Sequence, residues 1–197
     1  WNFKQNPDRW SVGECTEHIA RSERALLDMV KQVIAGPRDP EWYTRTKGKV
    51  DISSEQLERY VSRLGAIGRN VAGGIDRPVY SDAWVMARDE VAEWMGELGL
   101  AVRSDAVGNL FGRVDGESSR VVLTGSHIDT VPNGGPLDGA LGIHAALTAV
   151  GALIQAHGRP RQTLEVVAIG EEEGVRFPAR FWGARAMNGL IAIDEAD

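Results

Sequence analysis

The chain has 197 residues, of which 43% are hydrophobic and 25% charged, and its formal net charge at pH 7 is −6. This length can bury the core of one ordinary domain, and the mild acidity excludes the basic footprint that nucleic-acid-binding proteins usually carry. No apolar run approaches the roughly 18 residues that span a bilayer, so neither a nucleic acid nor a membrane is expected as a partner.

The cysteine content and the first residues indicate the cellular compartment. Cys15 is the single cysteine, so no internal disulfide can form, and we expect an inert thiol because no activating base lies beside it. Residues 1–4 lack both an initial Met and the apolar stretch of a signal peptide. We therefore expect a cytoplasmic protein and a chain that does not begin at a natural start.

Residues 1–35 are predicted to form one amphipathic helix with a short lead-in. Ser11 and Glu14 have the spacing of a capping box, in which each side chain accepts a hydrogen bond from a free N–H group at the helix start. Two prolines and a glycine at 36–40 cannot continue a helix, and residues 36–52 are predicted to be a linker.

The next part of the chain predicts two helices and a hairpin. Turn and capping residues give the boundaries of these elements. The predicted elements are a helix from Ser53, a helix from Ser81 or Asp82 to Leu98, and strands at 101–107 and 109–114 around Gly108.

The remaining residues predict a strand, a helix and a second strand. Residues 121–124 are a short apolar run with β-branched side chains, which predicts a buried strand. Residues 139–155 are rich in Ala and Leu and predict a helix, and residues 163–169 predict the second strand. This order is typical of a βαβ unit in an α/β fold with an open sheet.

Side chains that bind metals follow both strands of this unit. His127 and Asp129 come after the first strand, Asp138 precedes the helix, and three glutamates at 171–173 follow the second strand. Ligands gather beyond the carboxyl ends of strands in open α/β sheets, so these loops are expected to meet. Imidazole and carboxylate are ligands that zinc accepts in hydrolytic sites, and a cation would offset the repulsion among adjacent glutamates.

Each of these groups has an ordinary interpretation when it is taken alone. A loop histidine such as His127 is usually solvated or hydrogen-bonded, and three adjacent glutamates are usually a solvated charge run. The occurrence of both clusters at βαβ spacing favours a metal site. The other two candidates are weaker, because His144 is expected to pack inside its helix and His157 to be exposed at the helix end.

Several segments, in the right order, resemble the hydantoinase/carbamoylase family of zinc amidases, which includes N-carbamoyl-L-amino-acid hydrolases, β-ureidopropionases and allantoate amidohydrolases. The resemblance covers about residues 53–197 and implies a zinc aminopeptidase-like mixed sheet with flanking helices, truncated before the lid, or dimerisation, domain. The segments are 80–82, 104–112, the first metal motif at 125–135 and 137–142, and the second at 172–177 and 182–187.

The resemblance assigns a role to each candidate residue. It implies that His127 binds one zinc ion, that Asp138 bridges two ions and that Glu173 binds the second; manganese or another divalent metal could replace zinc. It implies further that Glu172 is the general base and that Asp129 orients His127. A carbamoyl substrate would then give a free amino acid, carbon dioxide and ammonia.

The 197 residues also depart from the family pattern. A histidine in a His-x-Glu-Gln-Gly-like segment, the lid domain and a final histidine ligand do not occur in them, so each zinc would lack a protein ligand and this chain alone is expected to be inactive. A homodimer is expected only where the lid is present. Ala184 stands where many members have Ser, and the Phe181-Trp182 pair is not the commonest form, which bears on the substrate.

The first residues resemble a different family. Residues 10–19 are similar to the Trp-Ser-x-x-Glu-x-x-x-His helix of DinB-like four-helix proteins, in which the histidine equivalent to His18 is a metal ligand. No later histidine pair at helical spacing occurs here, so a packed or surface His18 is the stronger interpretation. The predicted organisation is a DinB-like helical fragment at 1–35, a linker at 36–52 and part of the amidase catalytic domain at 53–197.

Three alternatives remain beside an amidase of ureido or N-carbamoyl acids. The first is a related zinc dipeptidase or N-acyl amino acid deacylase of the same superfamily. The second is a truncated chain that folds and performs no chemistry. The third is a fusion product whose residues 1–35 come from a helical metal protein.

Overall fold

The structure is a computed structural model that describes residues 54–177 and 180–191. The predicted helix at 1–35, the predicted linker at 36–52 and Ser53 lie outside this part of the chain. Within it the helices are α1 (Ser54–Ala66), α2 (Asp82–Glu97), α3 (Ala140–His157) and α4 (Trp182–Met187), and the strands are β1 (Ala101–Ser104), β2 (Leu110–Val114), β3 (Ser118–His127) and β4 (Gln162–Ile169).

The two helices and the hairpin predicted between residues 53 and 114 are confirmed, with one shorter strand. Helix α2 begins as expected, since the Ser81 hydroxyl caps it by accepting the Trp84 N–H at 3.2 Å. Strand β1 ends at Ser104 rather than at 107, because the Asp105 carboxylate accepts the N–H groups of Val107 and Asn109 and folds the chain into a turn.

The four strands form one mixed sheet in the order β1-β2-β4-β3, with helices packed against it. Strands β1, β2 and β4 pair antiparallel, whereas β3 and β4 are parallel and are joined through α3, as the βαβ prediction requires. His127 and Ile169, the last residues of β3 and β4, are partners in the register. The loops that follow these two strands therefore start side by side.

The prediction that residues 121–124 are buried is wrong. Val121 is 45% exposed, Val122 44% and Leu123 45%. Strand β3 lies at the edge of the sheet, and within residues 54–177 and 180–191 only β4 pairs with it. The central strand β4 instead carries the buried apolar run, with Val166, Val167 and Ala168.

The core lies between the helices and the sheet, and its centre is aromatic. Tyr60 of α1 and Trp94 of α2 have ring centroids 4.3 Å apart, and the His144 ring of α3 lies 6.1 and 6.0 Å from them. His144 is fully buried, as predicted, and His157 is exposed at the end of α3.

Helix α3 is more apolar than expected. By length and composition it is the one helix among the described residues that could cross a membrane. Its buried residues include Ile143, Leu147 and Val150, which belong to the hydrophobic core. Burial against the sheet and the neighbouring helices accounts for this composition.

Candidate metal centre

The predicted metal ligands come together at the carboxyl ends of β3 and β4. His127 is the last residue of β3, Asp138 lies just before α3, and Glu173 lies in the loop after β4. One ligand atom from each of these three residues lies within 4.8 Å of the other two, so the group could hold a metal ion.

The His127 ring is oriented by the main chain. Its Nδ1 lies 3.0 Å from the main-chain carbonyl oxygen of Asp129, and since a carbonyl can only accept, Nδ1 is the nitrogen that carries the proton. Its Nε2 lies 3.8 Å from an Asp138 carboxylate oxygen and 3.7 Å from a Glu172 carboxylate oxygen. The unprotonated nitrogen therefore faces the acidic groups, as in a metal-ligating histidine.

The Asp129 carboxylate makes a different contact from the one expected. It lies 3.7 Å from the His127 Nδ1, which is beyond hydrogen-bond distance. Its two oxygens instead accept the main-chain N–H groups of Glu172 at 3.2 Å and Glu173 at 3.3 Å. The fully buried Asp129 thus orients the imidazole through its carbonyl, and its carboxylate holds the loop that carries the glutamates at 171–173, the acidic loop.

The three adjacent glutamates are not equivalent. Glu171 is fully buried, has a φ of +53°, and its Oε1 accepts the N–H groups of Arg176 at 2.6 Å and Phe177 at 2.8 Å. Glu172 and Glu173 are partly buried and lie near His127 and Asp138. Glu171 therefore shapes the loop that carries the other two.

The crowding of acidic groups changes the ionisation of Glu173. The pKa of Glu173 is raised to about 7, chiefly by burial; His127 opposes the increase, and charge repulsion from Asp138, Glu172 and Asp129 adds to it. A cation would relieve this repulsion. One imidazole nitrogen and two carboxylates are also a donor set that Zn²⁺ and other divalent metals accept, so these residues fit a divalent metal.

Gly139 leaves the room that the His127 ring needs. Its φ is +65°, and a Cβ placed on it would overlap the imidazole, with Nδ1 only 2.5 Å and Cγ 2.6 Å away, well inside van der Waals contact. The glycine that follows Asp138 is thus required both by the backbone conformation at the start of α3 and by the closeness of His127.

Several known proteins are similar to this chain in sequence or in structure. Residues 109–189 match Peptidase family M28. The chain is 44% identical over 152 residues to the allantoate amidohydrolase of Bacillus subtilis (strain 168), and 42% identical over 148 residues to the N-carbamoyl-L-amino-acid amidohydrolase of Pseudomonas sp. (strain NS671). A hydantoinase/carbamoylase family amidase from Burkholderia ambifaria has a similar structure, with a TM-score of 0.71 and 37% identity over 75% of this chain. The resemblance to hydantoinase/carbamoylase amidases is confirmed.

The similarity covers most of this chain but a smaller part of each amidase. It includes 76% of the chain and 37% of the Bacillus protein, 74% and 36% for the Pseudomonas protein, and 36% of the Burkholderia chain. The chain thus spans about a third of the length of these amidases. The fold is also similar to that of a putative zinc-dependent exopeptidase from Bacteroides vulgatus, with a TM-score of 0.54 and 17% identity over 69% of this chain and 53% of that chain. Together with the Burkholderia structure, this similarity confirms the predicted zinc aminopeptidase-like mixed sheet with flanking helices.

The second amidase-like motif has a structural role that its sequence did not reveal. The N–H groups of Phe181, Trp182 and Gly183 donate to the main-chain oxygens of Glu172, Glu171 and Gly170, at 3.1, 3.0 and 3.0 Å respectively. The start of α4 is therefore attached along the acidic loop. Asn109, inside the amidase-like segment 104–112, also supports this site, since its side chain accepts the Gly170 N–H at 3.0 Å and donates to the Gly183 oxygen at 2.9 Å. Arg77 supports the site as well but carried no recognisable signal, because a single Arg in a loop belongs to no metal-binding pattern.

Proposed function

We propose that this chain supplies the metal-binding segment of a zinc-dependent amidohydrolase that cleaves a linear C–N bond of N-carbamoyl amino acids or allantoate-type ureido acids. The observation that carries the proposal is the meeting of His127, Asp138 and Glu173 at the ends of two parallel strands. The 44% identity to an allantoate amidohydrolase and the 42% identity to an N-carbamoyl-L-amino-acid amidohydrolase support the substrate class.

His127, Asp138 and Glu173 would hold the metal. Asp138 has two carboxylate oxygens and is the most exposed of the three, so it is suited to bridge two zinc ions, while His127 and Glu173 would bind one ion each. Manganese is an alternative ion for the same donors. When bound, the metal supplies an acidified water and a polarised scissile carbonyl.

Glu172 is the general base of this proposal. Its carboxylate lies 3.7 Å from the His127 Nε2, and its main chain is fixed by the hydrogen bond to Asp129. Glu172 would take a proton from water and later deliver it to the leaving nitrogen. Asp129 would hold both the imidazole and the acidic loop during this transfer.

The location and assembly follow as further parts of the proposal. The single cysteine supports a reducing, cytoplasmic location, and a homodimer is expected only together with a lid domain. The substrate would be a small molecule, as the names of the similar allantoate and N-carbamoyl-L-amino-acid amidohydrolases indicate.

The test requires the complete coding region, expressed with Glu172→Gln beside the unchanged protein. We expect ammonia release from N-carbamoyl amino acids or allantoate by the unchanged protein, and its loss on Glu172→Gln with metal content retained. Unchanged turnover in Glu172→Gln would exclude Glu172 as the base. Metal content below one ion per chain in the active protein would exclude metal dependence.

A peptidase or N-acyl deacylase is the second candidate, because residues 109–189 match a peptidase family. The same preparation assayed with dipeptides and N-acyl amino acids distinguishes the two. Faster cleavage of these substrates than of ureido acids would replace the proposed substrate class while leaving the metal site in place. A protein that holds the metal and cleaves neither class would be the non-catalytic alternative.

A further inference from the structure

Arg77, in the segment between α1 and α2, is a buried cation that joins the end of α1 to residues 127–130, the metal loop. It is 1% exposed. Its Nη1 donates to the main-chain oxygens of Leu64 at 3.0 Å and Ile67 at 3.2 Å, at and just beyond the end of α1, where the Leu64 oxygen also accepts the Ile67 N–H at 3.2 Å. Its Nε donates to the main-chain oxygen of Ile128 at 2.7 Å. One side chain thus connects two segments that are distant in sequence.

The main chain of Arg77 strengthens this connection. Its N–H donates to the Thr130 hydroxyl at 3.0 Å, and its carbonyl oxygen accepts the Thr130 N–H at 3.1 Å. The Thr130 hydroxyl in turn donates to the Ile75 oxygen at 3.1 Å. The chain from Ile128 to Thr130 is therefore fixed at both ends by one residue.

The fixed segment includes Asp129 and directly follows His127. Ile128 lies between His127 and Asp129 in the sequence. The hydrogen bond from Arg77 to the Ile128 oxygen therefore fixes the main chain that orients His127 and Asp129. Asp129 is fully buried, and its carboxylate and the Arg77 guanidinium attract each other. This attraction compensates a buried carboxylate that must also accept two N–H groups of the acidic loop.

Capping of α1 alone would be a simpler role, and Arg69 provides the comparison. Its Nε donates to the Gly65 oxygen at 3.2 Å and its Nη1 to the Gly73 oxygen at 3.1 Å. Arg69 therefore binds the end of the same helix, but its side-chain hydrogen bonds do not reach the metal loop.

We propose that Arg77 is a positioning residue of the metal centre, which holds residues 127–130 so that His127 faces the metal position and Asp129 faces the acidic loop. The effect on metal binding rests on the proposed function. The effect on the two loops does not, since it can be measured in the metal-free chain.

The experiment compares Arg77→Met, Arg77→Lys and Arg69→Met with the unchanged 197-residue chain. Folding is checked by circular dichroism. Cobalt(II) affinity is measured by visible absorption, and amide hydrogen exchange is measured in the metal-free protein. Replacing an outer-shell group that orients a metal ligand typically lowers metal affinity by about 10–100-fold, and this range sets the loss expected for Arg77→Met.

We expect Arg77→Met to weaken cobalt binding about tenfold or more and to speed exchange of the amides at 129–130 and 172–173 relative to those of α2. Arg77→Lys should give intermediate values, because one ammonium group keeps the charge but cannot reach both α1 and Ile128. Arg69→Met should leave both readouts within about twofold of the unchanged chain, well below that outer-shell range.

Several results would overturn the inference. One is an Arg77→Met variant whose amide exchange rates and cobalt affinity both equal those of the unchanged chain. Another is an Arg69→Met variant that loses as much cobalt affinity as Arg77→Met. If Arg77→Met does not fold, wild-type values in Arg77→Lys would overturn it instead. If the unchanged chain binds no cobalt, the metal-site proposal fails for this chain, and the exchange rates alone decide the role of Arg77.

Discussion

The carboxylate of Asp129 accepts the main-chain N–H of Glu173 at 3.3 Å, which links the loop after β3 to the loop after β4. A second oxygen of the same carboxylate accepts the N–H of Glu172. The two loops that carry the proposed base and ligands are therefore held by one buried side chain as well as by the pairing of their strands. Changes at Asp129 should affect both loops together.

Replacement of Asp129 by Asn tests this link. The variant keeps the size of the side chain, but its amide nitrogen cannot accept an N–H, so one amide of the acidic loop loses its partner. We expect the free energy of unfolding to fall by about 1–3 kcal/mol and the cobalt(II) affinity to fall about tenfold or more. Urea unfolding and a cobalt titration measure the two effects. Asp89→Asn, on the exposed side of α2, is the control, and equal effects in both variants would contradict the prediction.

Metal binding should weaken as the pH falls through about 7. Burial and the neighbouring carboxylates raise the pKa of Glu173 to about 7, and this group must lose its proton to bind a cation. In the metal-free chain the effect of pH on stability is the reverse. The contribution of Glu173 to the free energy of unfolding is most favourable below pH 4.5, the pKa of this group in the unfolded chain, and it is lost as the pH rises to about 7. Cobalt titrations from pH 6 to 8 measure the first effect, and urea unfolding of the metal-free chain measures the second.

Glu173→Gln separates these two effects. It should remove the pH-dependent loss of stability in the metal-free chain while also reducing metal affinity at every pH. A metal affinity that is the same at pH 6 and pH 8 would argue against a proton competing at this carboxylate.

The chain should lose stability in acid because of His144. Burial, followed by the charge of Arg77, lowers the pKa of His144 to about 4, and neither ring nitrogen has a hydrogen-bond partner. The unfolded chain takes up a proton near pH 6.5 and the folded chain only near 4, so stability is lost as the pH falls between these values. The full loss is about 3 kcal/mol, because each pKa unit corresponds to about 1.4 kcal/mol.

His144→Leu should remove this loss and leave stability at pH 7 unchanged or higher, because an unpaired buried polar ring is replaced by an apolar group. The free energy of urea unfolding at pH 7 and pH 5 measures the difference. His157→Gln, at the exposed end of α3, should behave as the unchanged chain. A His144→Leu variant with the original pH dependence would show that another group titrates.

Gly139→Ala should displace the His127 ring. Gly139 and Gly158 flank α3 and have similar φ angles of +65° and +69°, but only at Gly139 would a Cβ meet another group, the imidazole. Both alanine variants should lose about 1–2 kcal/mol of unfolding free energy through backbone strain. Only Gly139→Ala should also lose cobalt affinity, and a similar affinity loss in Gly158→Ala would contradict the assigned cause.

The site was predictable from the sequence where backbone topology decides it. Two parallel strands bring the loops after His127 and Ile169 together whatever the side chains do, so spacing and residue type predicted that His127 and Asp138 would meet the glutamates at 171–173. The choice of Glu173 among the three glutamates came from the resemblance to the amidases. The separate role of Glu171 was not predictable, because three identical neighbours differ only in the direction that the main chain gives them.

Other features depend on partners far away in the sequence. The exposure of Val121 and Leu123 follows from the place of β3 in the strand order, and apolar residues alone do not distinguish an edge strand from a central one. The Arg77 side chain donates to main-chain carbonyl oxygens, which every residue type has, so the residue types of its partners give no indication of the contact. A loop arginine therefore carries no sequence pattern for such a role.

The exposed edge of β3 has a practical consequence for handling this polypeptide. Within residues 54–177 and 180–191 only β4 pairs with β3, so its other edge is open there. An edge strand with apolar side chains on both faces is a template for strand addition, and residues 121–125 contain no charge or proline to prevent it. Preparations of the 197-residue chain should therefore form larger species as their concentration rises, with β3 of one molecule beside β3 of another. Val122→Lys would place a charge on that edge and should lower the light scattering of concentrated samples without altering the loops that follow β3 and β4.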